Sequence, residues 1–292
     1  MRSNSATIPR IFDFRAYAMR RARAARRGRE SFLEAEVAEN ISERLGAVKR
    51  RFANALDLAS REAAFQIVRS HAANWTRTPV AAEEQALPFA NGAFDLVTSV
   101  LSLHAANDLP GALSEIRRVL QPDGLFLAAL FGGGTLAELR RAFASGESET
   151  IGGVSPRVAP FADVRDLGGL LQRAGFALPV ADVERIGVAY SEFSTLVNDL
   201  RALGETNALA ERSRKFLRRD TLAATLAHYA ATDADESGRL RATFDVIYLT
   251  AWAPHDGQQK PLAPGSAKAR LADALAAKEQ SAGEPAPITK KL

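Results

Sequence analysis

Apolar residues follow two different patterns along this chain, one that predicts helices and one that predicts strands. Val37, Ile41 and Leu45 return at intervals of four residues, as expected of a helix over 31–51 with one buried face. Residues Leu125–Phe131 are instead continuously apolar, which is typical of a strand covered on both faces of a sheet. The same reasoning predicts strands at 54–58, 94–103, 181–190 and 243–252, and helices at 63–73, 108–120, 136–144 and 164–174.

The order of these elements predicts an α/β fold. Alternating strands and helices imply a parallel sheet with right-handed crossovers. The last two strands are separated by a helical insertion at about 191–241, which suits an antiparallel edge added to that sheet. We therefore predict a domain over 31–260 with a mostly parallel sheet. An arm over 1–30 precedes it, and a tail over 261–292, rich in Pro, Ala and Lys, is predicted to be partly disordered.

The composition excludes several classes of protein. No apolar run is long enough to cross a bilayer. Cysteine is absent, which excludes disulfides, thiolate metal sites and a cysteine nucleophile, and which fits a reducing compartment. The four histidines are scattered along the chain, so no metal site is predicted.

Positive charge is concentrated in the arm. Residues 1–30 hold nine arginines, whereas the net charge of the whole chain is +4. Such a segment suits an acidic partner, an anionic membrane surface or nucleic acid. A solvated helix face and an Arg-rich transit peptide are the alternatives. Because no aromatic residues interleave with the arginines, nucleic acid is the least favoured partner, while peripheral membrane contact stays open.

Segments spread over the chain resemble the motifs of class I S-adenosylmethionine-dependent methyltransferases. In the first half they are Glu84-x-x-Leu87-Pro88-Phe89, Phe94-Asp95-Leu96-Val97 and Leu120-x-Pro122-Asp123-Gly124. The more specific ones are Ser102-Leu103-His104, Phe131-Gly132-Gly133-Gly134-Thr135, Ser155-Pro156-Arg157, Gly204-Glu205-Thr206-Asn207 and Trp252-x-Pro254-His255. Over about residues 10–275 the chain is similar to the assembly factor 5 family of mitochondrial complex I and its alphaproteobacterial relatives. The malonyl-acyl-carrier-protein methyltransferase of biotin synthesis is a more distant relative.

This resemblance implies a Rossmann-like sheet that binds S-adenosylmethionine at the carboxyl ends of its first strands. For the assembly-factor family it also implies hydroxylation of an arginine on a complex I subunit. Carried over residue by residue, the cofactor contacts fall on Asp57 at the end of the first strand and on Ala59 after it. Glu84 and Leu87 then lie near the adenine. His104 follows the strand at the acceptor rim, where its ring could act as a base.

The cofactor loop departs from the family's sequence motif, Asp-Leu-Gly-x-Gly-x-Gly. Asp57 and Leu58 match it, but Ala59, Arg61 and Ala63 stand at the glycine positions. Glycine suits such a loop because it permits positive φ and puts no side chain in the way of a ligand. We therefore predict a degenerate cofactor site in which S-adenosylmethionine binding is lost. Without the glycines, Asp57 is better explained as a helix or turn cap.

The region after this loop predicts a second loss. Only thirty positions separate Asp57 from Leu87, which leaves little room for a second strand and for the acid that holds the ribose hydroxyls. Glu83 and Glu84 align with the motif before Leu87-Pro88-Phe89, which lies near the adenine, rather than with that acid.

Three other polar groups each have a functional and a structural interpretation. His104 is either a base or a rim residue that fixes a turn, with Asp108 as the next helix's N-cap. The N–H groups of residues 132–135 either bind an anion or allow close packing. Glu205 and Asn207 either line a groove or cap a helix.

Our leading hypothesis is a methyltransferase-like pseudoenzyme that assists complex I assembly by binding a protein partner, which we expect to be a complex I subunit or an assembly intermediate. One rival is an active methyltransferase or arginine-modifying enzyme that acts on a protein, so whether the chain is an enzyme stays open. The other rival is a membrane-surface protein that binds through the arm. We expect a bacterial cytoplasm, with the mitochondrial matrix as the alternative. The oligomeric state is not predicted.

Overall fold

A computed structural model describes residues 10–28, 31–78 and 87–259 of the chain. The chain divides after His255 into two compact units, and all the elements below belong to the first. The strands are β1 (Phe52–Leu58), β2 (Ala72–Thr78), β3 (Phe94–Val100), β4 (Leu120–Phe131), β5 (Ala177–Tyr190) and β6 (Leu240–Trp252). The helices are α1 (Phe14–Arg27), α2 (Phe32–Ala47), α3 (Glu62–Val68), α4 (Leu109–Val119), α5 (Ala137–Ile151), α6 (Val164–Arg173), α7 (Phe193–Leu203) and α8 (Arg219–Asp233).

The strands form one six-stranded sheet in the order β2-β1-β3-β4-β6-β5. The pairs among β2, β1, β3 and β4 are parallel. Strand β6 is antiparallel to both β4 and β5. The predicted fold, a mostly parallel sheet with an antiparallel edge, is therefore confirmed, and α7 and α8 form the predicted insertion between β5 and β6.

Strand β4 divides the core into two layers. Its residues Leu125, Leu127 and Ala129 belong to one apolar cluster, together with α2. The alternate residues Phe126 and Ala128 belong to a second cluster, together with α4 and α6. Because side chains alternate across a strand, each face of the sheet is covered by its own layer of helices, as the continuous apolar run predicted.

Strand β2 corrects the expectation that little room remains for a second strand. The predicted helix over 63–73 ends at Val68, a short 3₁₀ turn follows, and Ala72–Thr78 pairs in parallel with β1. This strand lies at the sheet edge, and its residues are exposed or half-buried. It consequently has no apolar run by which it could have been recognised.

Helix α1 corrects the expectation of a separate arm. Ala16, Tyr17 and Ala24 are buried, and the helix packs against α7. The two backbones approach closely at Gly204, where φ is +80° and an added Cβ would lie 3.0 Å from the Cα of Arg21. The buried face of α1 is formed by small and amphipathic residues rather than by Leu or Ile, which explains its weak apolar periodicity. The predicted tail over 261–292 lies outside the described residues.

Candidate functional site

The predicted cofactor positions that the structure describes are Asp57 and Ala59, at the carboxyl end of β1, and Leu87, before β3. Asp57 is buried near the end of β1, with 1% of its side chain exposed. Leu87 is buried, and its N–H donates to Glu115 at 2.8 Å. Glu84 lies outside the described residues. Asp57 does not cap helix α3, whose N-cap is Arg61. Its carboxylate instead accepts hydrogen bonds from the side chain and the backbone N–H of Ser60, which agrees with the alternative interpretation of Asp57 as a turn cap.

The loop after β1 keeps a backbone conformation that suits glycine, although its glycines are replaced. Ala59, at the first glycine position, has φ of +57°. A residue other than glycine in this conformation costs about 1–3 kcal/mol, so the surrounding structure must hold it in place. The Ala59 N–H donates to the carbonyl of Thr78 at 2.9 Å, which ties the loop to the end of β2.

Arg61, at the second glycine position, reaches across to two helices. It donates to Oε2 of Glu34 on α2 at 2.8 Å and to the carbonyl of Ala202 on α7 at 2.5 Å. The Glu34 side chain is 3% exposed, and burial raises its pKa despite the nearby Arg61. The arginine therefore links the loop to α2 and α7, which a shorter side chain would not reach.

Arg77 stands near the end of β2, where the family would place an acid. Its Nε lies 3.4 Å from Oδ2 of Asp57, and it also contacts Glu62 and the carbonyl of Ser60. Strand β2 itself contains no acidic residue. Burial raises the pKa of Asp57 even beside Arg77, and its Oδ1 has no hydrogen-bond partner among the described residues.

A third arginine enters this edge of the sheet from α1. Arg21 donates to the carbonyl of Ala59 and to the carbonyl of Leu101, both at 2.8 Å. Helix α1 thereby becomes one wall of a cavity of about 520 Å³ above the loop, whose opposite wall includes Ala59 and Thr78. We call this space the loop cavity. Sequence reasoning did not assign Arg21 or Arg77 to the site, because nothing local in the sequence distinguishes them from the other arginines.

Glu205 joins α1 to the predicted acceptor rim. Its carboxylate accepts from the Tyr17 hydroxyl at 3.0 Å, lies 3.1 Å from Nε2 of His104 and lies 3.6 Å from Nη1 of Arg21. Burial by itself would raise the pKa of Glu205, but His104, Arg21 and Tyr17 together hold it below the usual value. The sequence indicated Glu205 as a groove residue but did not indicate these partners.

His104 is enclosed rather than presented to a ligand. Its side chain is 1% exposed, and its ring packs against Phe131 and Phe161 with centroids 4.9 and 5.4 Å away. Asp108 is the N-cap of α4 and accepts from the N–H of Gly111 at 2.9 Å, as predicted. These contacts agree with the interpretation of His104 as a residue that fixes the turn after β3.

An apolar cavity of about 370 Å³ lies between the sheet and the insertion. We call it the insertion cavity. Its walls include Phe143 and Leu222, and Glu205 is the one carboxylate among the described residues that line it. Asn207 also lines it and donates to the carbonyl of Pro156 at 2.7 Å, so the predicted groove role of Glu205 and Asn207 agrees with their placement.

The glycine-rich turn over 132–135 is a close-packing device. A Cβ added to Gly134 would lie 1.9 Å from Oδ2 of Asp245, and one added to Gly132 would meet Ile247 at 2.8 Å. A carboxylate at this distance opposes an anion at the same place, so the packing interpretation is the one that fits. No group of three or more metal-ligating side chains occurs in the described part of the chain. Within the same residues, no helix is long and apolar enough to cross a membrane.

Comparison with known proteins identifies the class to which this fold and loop belong. A methyltransferase domain model matches residues 42–128. The arginine-hydroxylase NDUFAF5, mitochondrial, of Rattus norvegicus is 38% identical over 262 residues, which is 83% of this chain and 76% of that protein. The zebrafish (Danio rerio) protein of the same name is 44% identical over 194 residues, and there the chain spans only 60% of its relative's length. A malonyl-[acyl-carrier protein] O-methyltransferase of Halorhodospira halophila is 37% identical over 258 residues, 79% of this chain and 84% of that protein.

The fold and these similarities define a class of methyltransferase-related proteins, a class whose cofactor is S-adenosylmethionine. Within that class the chain belongs to the family that includes NDUFAF5. The family and the fold predicted from the sequence motifs are therefore confirmed, and so is the cofactor of the class.

Proposed function

We propose that this chain keeps the methyltransferase fold but does not bind S-adenosylmethionine, and that it assists complex I assembly by binding a protein partner. The observation that carries the proposal is the occupation of the cofactor edge by Arg21, Arg61 and Arg77. These side chains come from three different elements and meet at one loop.

The lining of the loop cavity does not fit the cofactor. S-adenosylmethionine carries a positive sulfonium centre, an ammonium group, a carboxylate and two ribose hydroxyls that the family holds with an acid. The carboxylate is compatible with arginines, but the sulfonium and the ammonium group are repelled by them. The described residues that line this cavity include three arginines and no carboxylate. Like charges brought together in a binding site cost several kcal/mol. The adenine side, at Glu84, lies outside the described residues.

The arginines are also held where they are. Arg61 pairs with the buried Glu34, and Arg21 donates to two carbonyls at the ends of β1 and β3. Removing one partner of a buried ion pair costs about 3–5 kcal/mol. A ligand that displaced these side chains would have to compensate for that loss.

The proposed partner is a complex I subunit or an assembly intermediate, in a bacterial cytoplasm or in a mitochondrial matrix. The family resemblance supports this part of the proposal. The described surface offers Phe216, whose side chain is fully exposed beside Lys215, as a contact residue.

The enzymatic rival is an arginine-modifying reaction in the insertion cavity, as the name of the relatives suggests. A guanidinium substrate would need a free carboxylate there. Glu205 is the one carboxylate in the lining, and it already has Arg21, His104 and Tyr17 as partners. This arrangement favours the binding function over the reaction.

Calorimetric titration with S-adenosylmethionine tests the proposal. We expect no saturation up to about 1 mM ligand, a limit that corresponds to about −4 kcal/mol. The matched variant carries Ala59→Gly, Arg61→Gly and Ala63→Gly, which restores the family motif. Micromolar binding by the unaltered chain would overturn the proposal, and binding by the glycine variant alone would assign the loss to the loop.

A complementation assay tests the cellular role. In cells that lack this protein, assembled complex I is measured by native electrophoresis after expression of the unaltered chain or of Asp57→Ala. We expect equal rescue at equal protein level, because Asp57 has no cofactor to hold. Rescue by the unaltered chain alone would favour the enzyme.

A further inference from the structure

Four arginines lie together between α1 and the end of α7, apart from the three at the cofactor loop. They are Arg20, Arg23, Arg27 and Arg201, which line a cavity of about 260 Å³. None of them forms an ion pair with any described residue. The two carboxylates that act on Arg20, Asp13 and Glu205, are already held by Arg212 and Arg21.

The helix geometry holds this cluster together. Arg20, Arg23 and Arg27 are spaced three and four residues apart, so they project from neighbouring positions on one side of α1. Ala24, between them, is 1% exposed. Arg201 belongs to the last turn of α7, directly before the close approach at Gly204. The four guanidinium groups are therefore carried by two helices that pack on each other.

Arg20 shows that the cluster lacks a partner of opposite charge. Its Nη1 is buried and has no hydrogen-bond partner among the described residues. Burial and the positive charge of Arg212 lower the pKa of Arg20. An anion bound here would supply acceptors and would relieve the repulsion among the arginines.

The arginine cavity adjoins the insertion cavity. Arg201 and Thr206 line both of them. Beyond these two residues the insertion cavity is walled mainly by apolar side chains, among them Phe193, Val197 and Leu222. One molecule with an anionic head and an apolar chain could thus contact both cavities.

We propose that the two cavities together bind a phosphate monoester with an apolar chain. The phosphate would lie among Arg20, Arg23, Arg27 and Arg201. The apolar chain of the ligand would enter the insertion cavity. Guanidinium groups match phosphate oxygens in geometry, and such charge-assisted hydrogen bonds are about twice as strong as neutral ones. The cavity volume of about 370 Å³ is within the range for small-molecule sites. This proposal does not depend on the state of the cofactor loop.

Titration with a series of alkyl phosphates tests both halves of the site. Hexyl, octyl and decyl phosphate are compared with inorganic phosphate and with octanol, all below the concentration at which micelles form. Each methylene that enters the cavity should tighten binding about fourfold. Octyl phosphate that binds no tighter than inorganic phosphate would overturn the proposal.

Variants separate the head from the chain. The double variant Arg20→Gln with Arg201→Gln should weaken octyl phosphate at least about tenfold. Val197→Phe should flatten the chain-length dependence while inorganic phosphate binds as before. Arg26→Gln, on α1 but outside the cluster, is the matched control and should change nothing. Unchanged octyl phosphate binding in the double variant, with its thermal unfolding intact, would also overturn the proposal.

Vesicle sedimentation distinguishes the two sources of such a phosphate. Vesicles of phosphatidylcholine with and without phosphatidic acid are mixed with the unaltered chain and with the double variant. Sedimentation that needs phosphatidic acid and is lost in the double variant assigns the site to a lipid headgroup. Binding of octyl phosphate without sedimentation assigns it to a soluble phosphate ester.

Discussion

The loop cavity and the arginine cavity are both lined by arginines, yet the two sets differ in their partners. At the loop cavity, Arg61 and Arg77 are paired with Glu34 and Asp57, and Arg21 donates to two carbonyls. At the arginine cavity, none of the four lining arginines has a carboxylate partner within the described residues.

This difference shows that arginine content by itself does not define a binding site. Paired arginines have their charge balanced within the protein. Unpaired arginines keep hydrogen-bond donors and charge for an anion from outside. The first set therefore argues against a further anion at the loop cavity, and the second argues for an anion site at the arginine cavity.

The largest expected effect comes from breaking the paired set. Arg21→Ala should lower the free energy of unfolding by about 3 kcal/mol, because Glu205 loses an ion-pair partner and two carbonyls lose a hydrogen-bond donor. Urea unfolding measures the loss. Arg26→Ala on the exposed side of the same helix is the control, and we expect a change within about 0.5 kcal/mol. Equal losses in the two variants would show that Arg21 does not tie α1 to the sheet.

A smaller effect separates two of the former glycine positions. Ala59→Gly should raise the free energy of unfolding by about 1 kcal/mol, because it relieves a positive φ at the cost of glycine's larger entropy in the unfolded chain.

Ala63→Gly is the matched substitution within helix α3. There we expect a loss of about 1 kcal/mol, because glycine is a poor helix former. Thermal or urea unfolding of both variants measures whether the free energy of unfolding rises or falls in each. The same sign for both would contradict the conformation of the loop.

The smallest effect is a difference in pH dependence between two buried glutamates. Glu205 has a pKa below its ordinary 4.5, so its contribution to stability is present above pH 4.5 and is lost as the pH falls through the folded-state pKa. Glu34 has a pKa above 4.5, so its contribution is present below pH 4.5 and is lost as the pH rises through the folded-state pKa.

Urea unfolding of the unaltered chain, Glu205→Gln and Glu34→Gln from about pH 3 to pH 7 measures this difference. The difference from the unaltered chain should change with pH in opposite directions for the two variants. Parallel curves would show that the two carboxylates lie in equivalent environments.

Much of the sheet could be predicted from the sequence, because buried strands carry long apolar runs. The run Leu125–Phe131 indicated β4 and its two covered faces. The edge strand β2 was missed because it has no continuous apolar run and most of its exposed positions are polar. The Pro122-Asp123-Gly124 motif lies inside β4, where Asp123 has φ of +61° and the pairing with β3 shifts register.

The candidate site was less predictable. The loss of glycines at Ala59, Arg61 and Ala63 is visible in the sequence, and so is the family to which the loop belongs. The contacts of Arg21 and Arg77 are not visible, because each depends on an element whose position is set by packing. His104 could be placed after β3, but its enclosure by Phe131 and Phe161 could not.

The sequence by itself determined the family, the succession of the buried strands along the chain and the replacement of the loop glycines. These properties follow from local patterns of residue type and from sequence motifs of fixed spacing. Only the tertiary structure decided which arginines have partners. Pairing depends on distances of about 3 Å between residues far apart in the chain, such as Arg21 and Ala59 or Arg61 and Glu34. Such distances are set by how helices pack on the sheet, and local sequence does not record them.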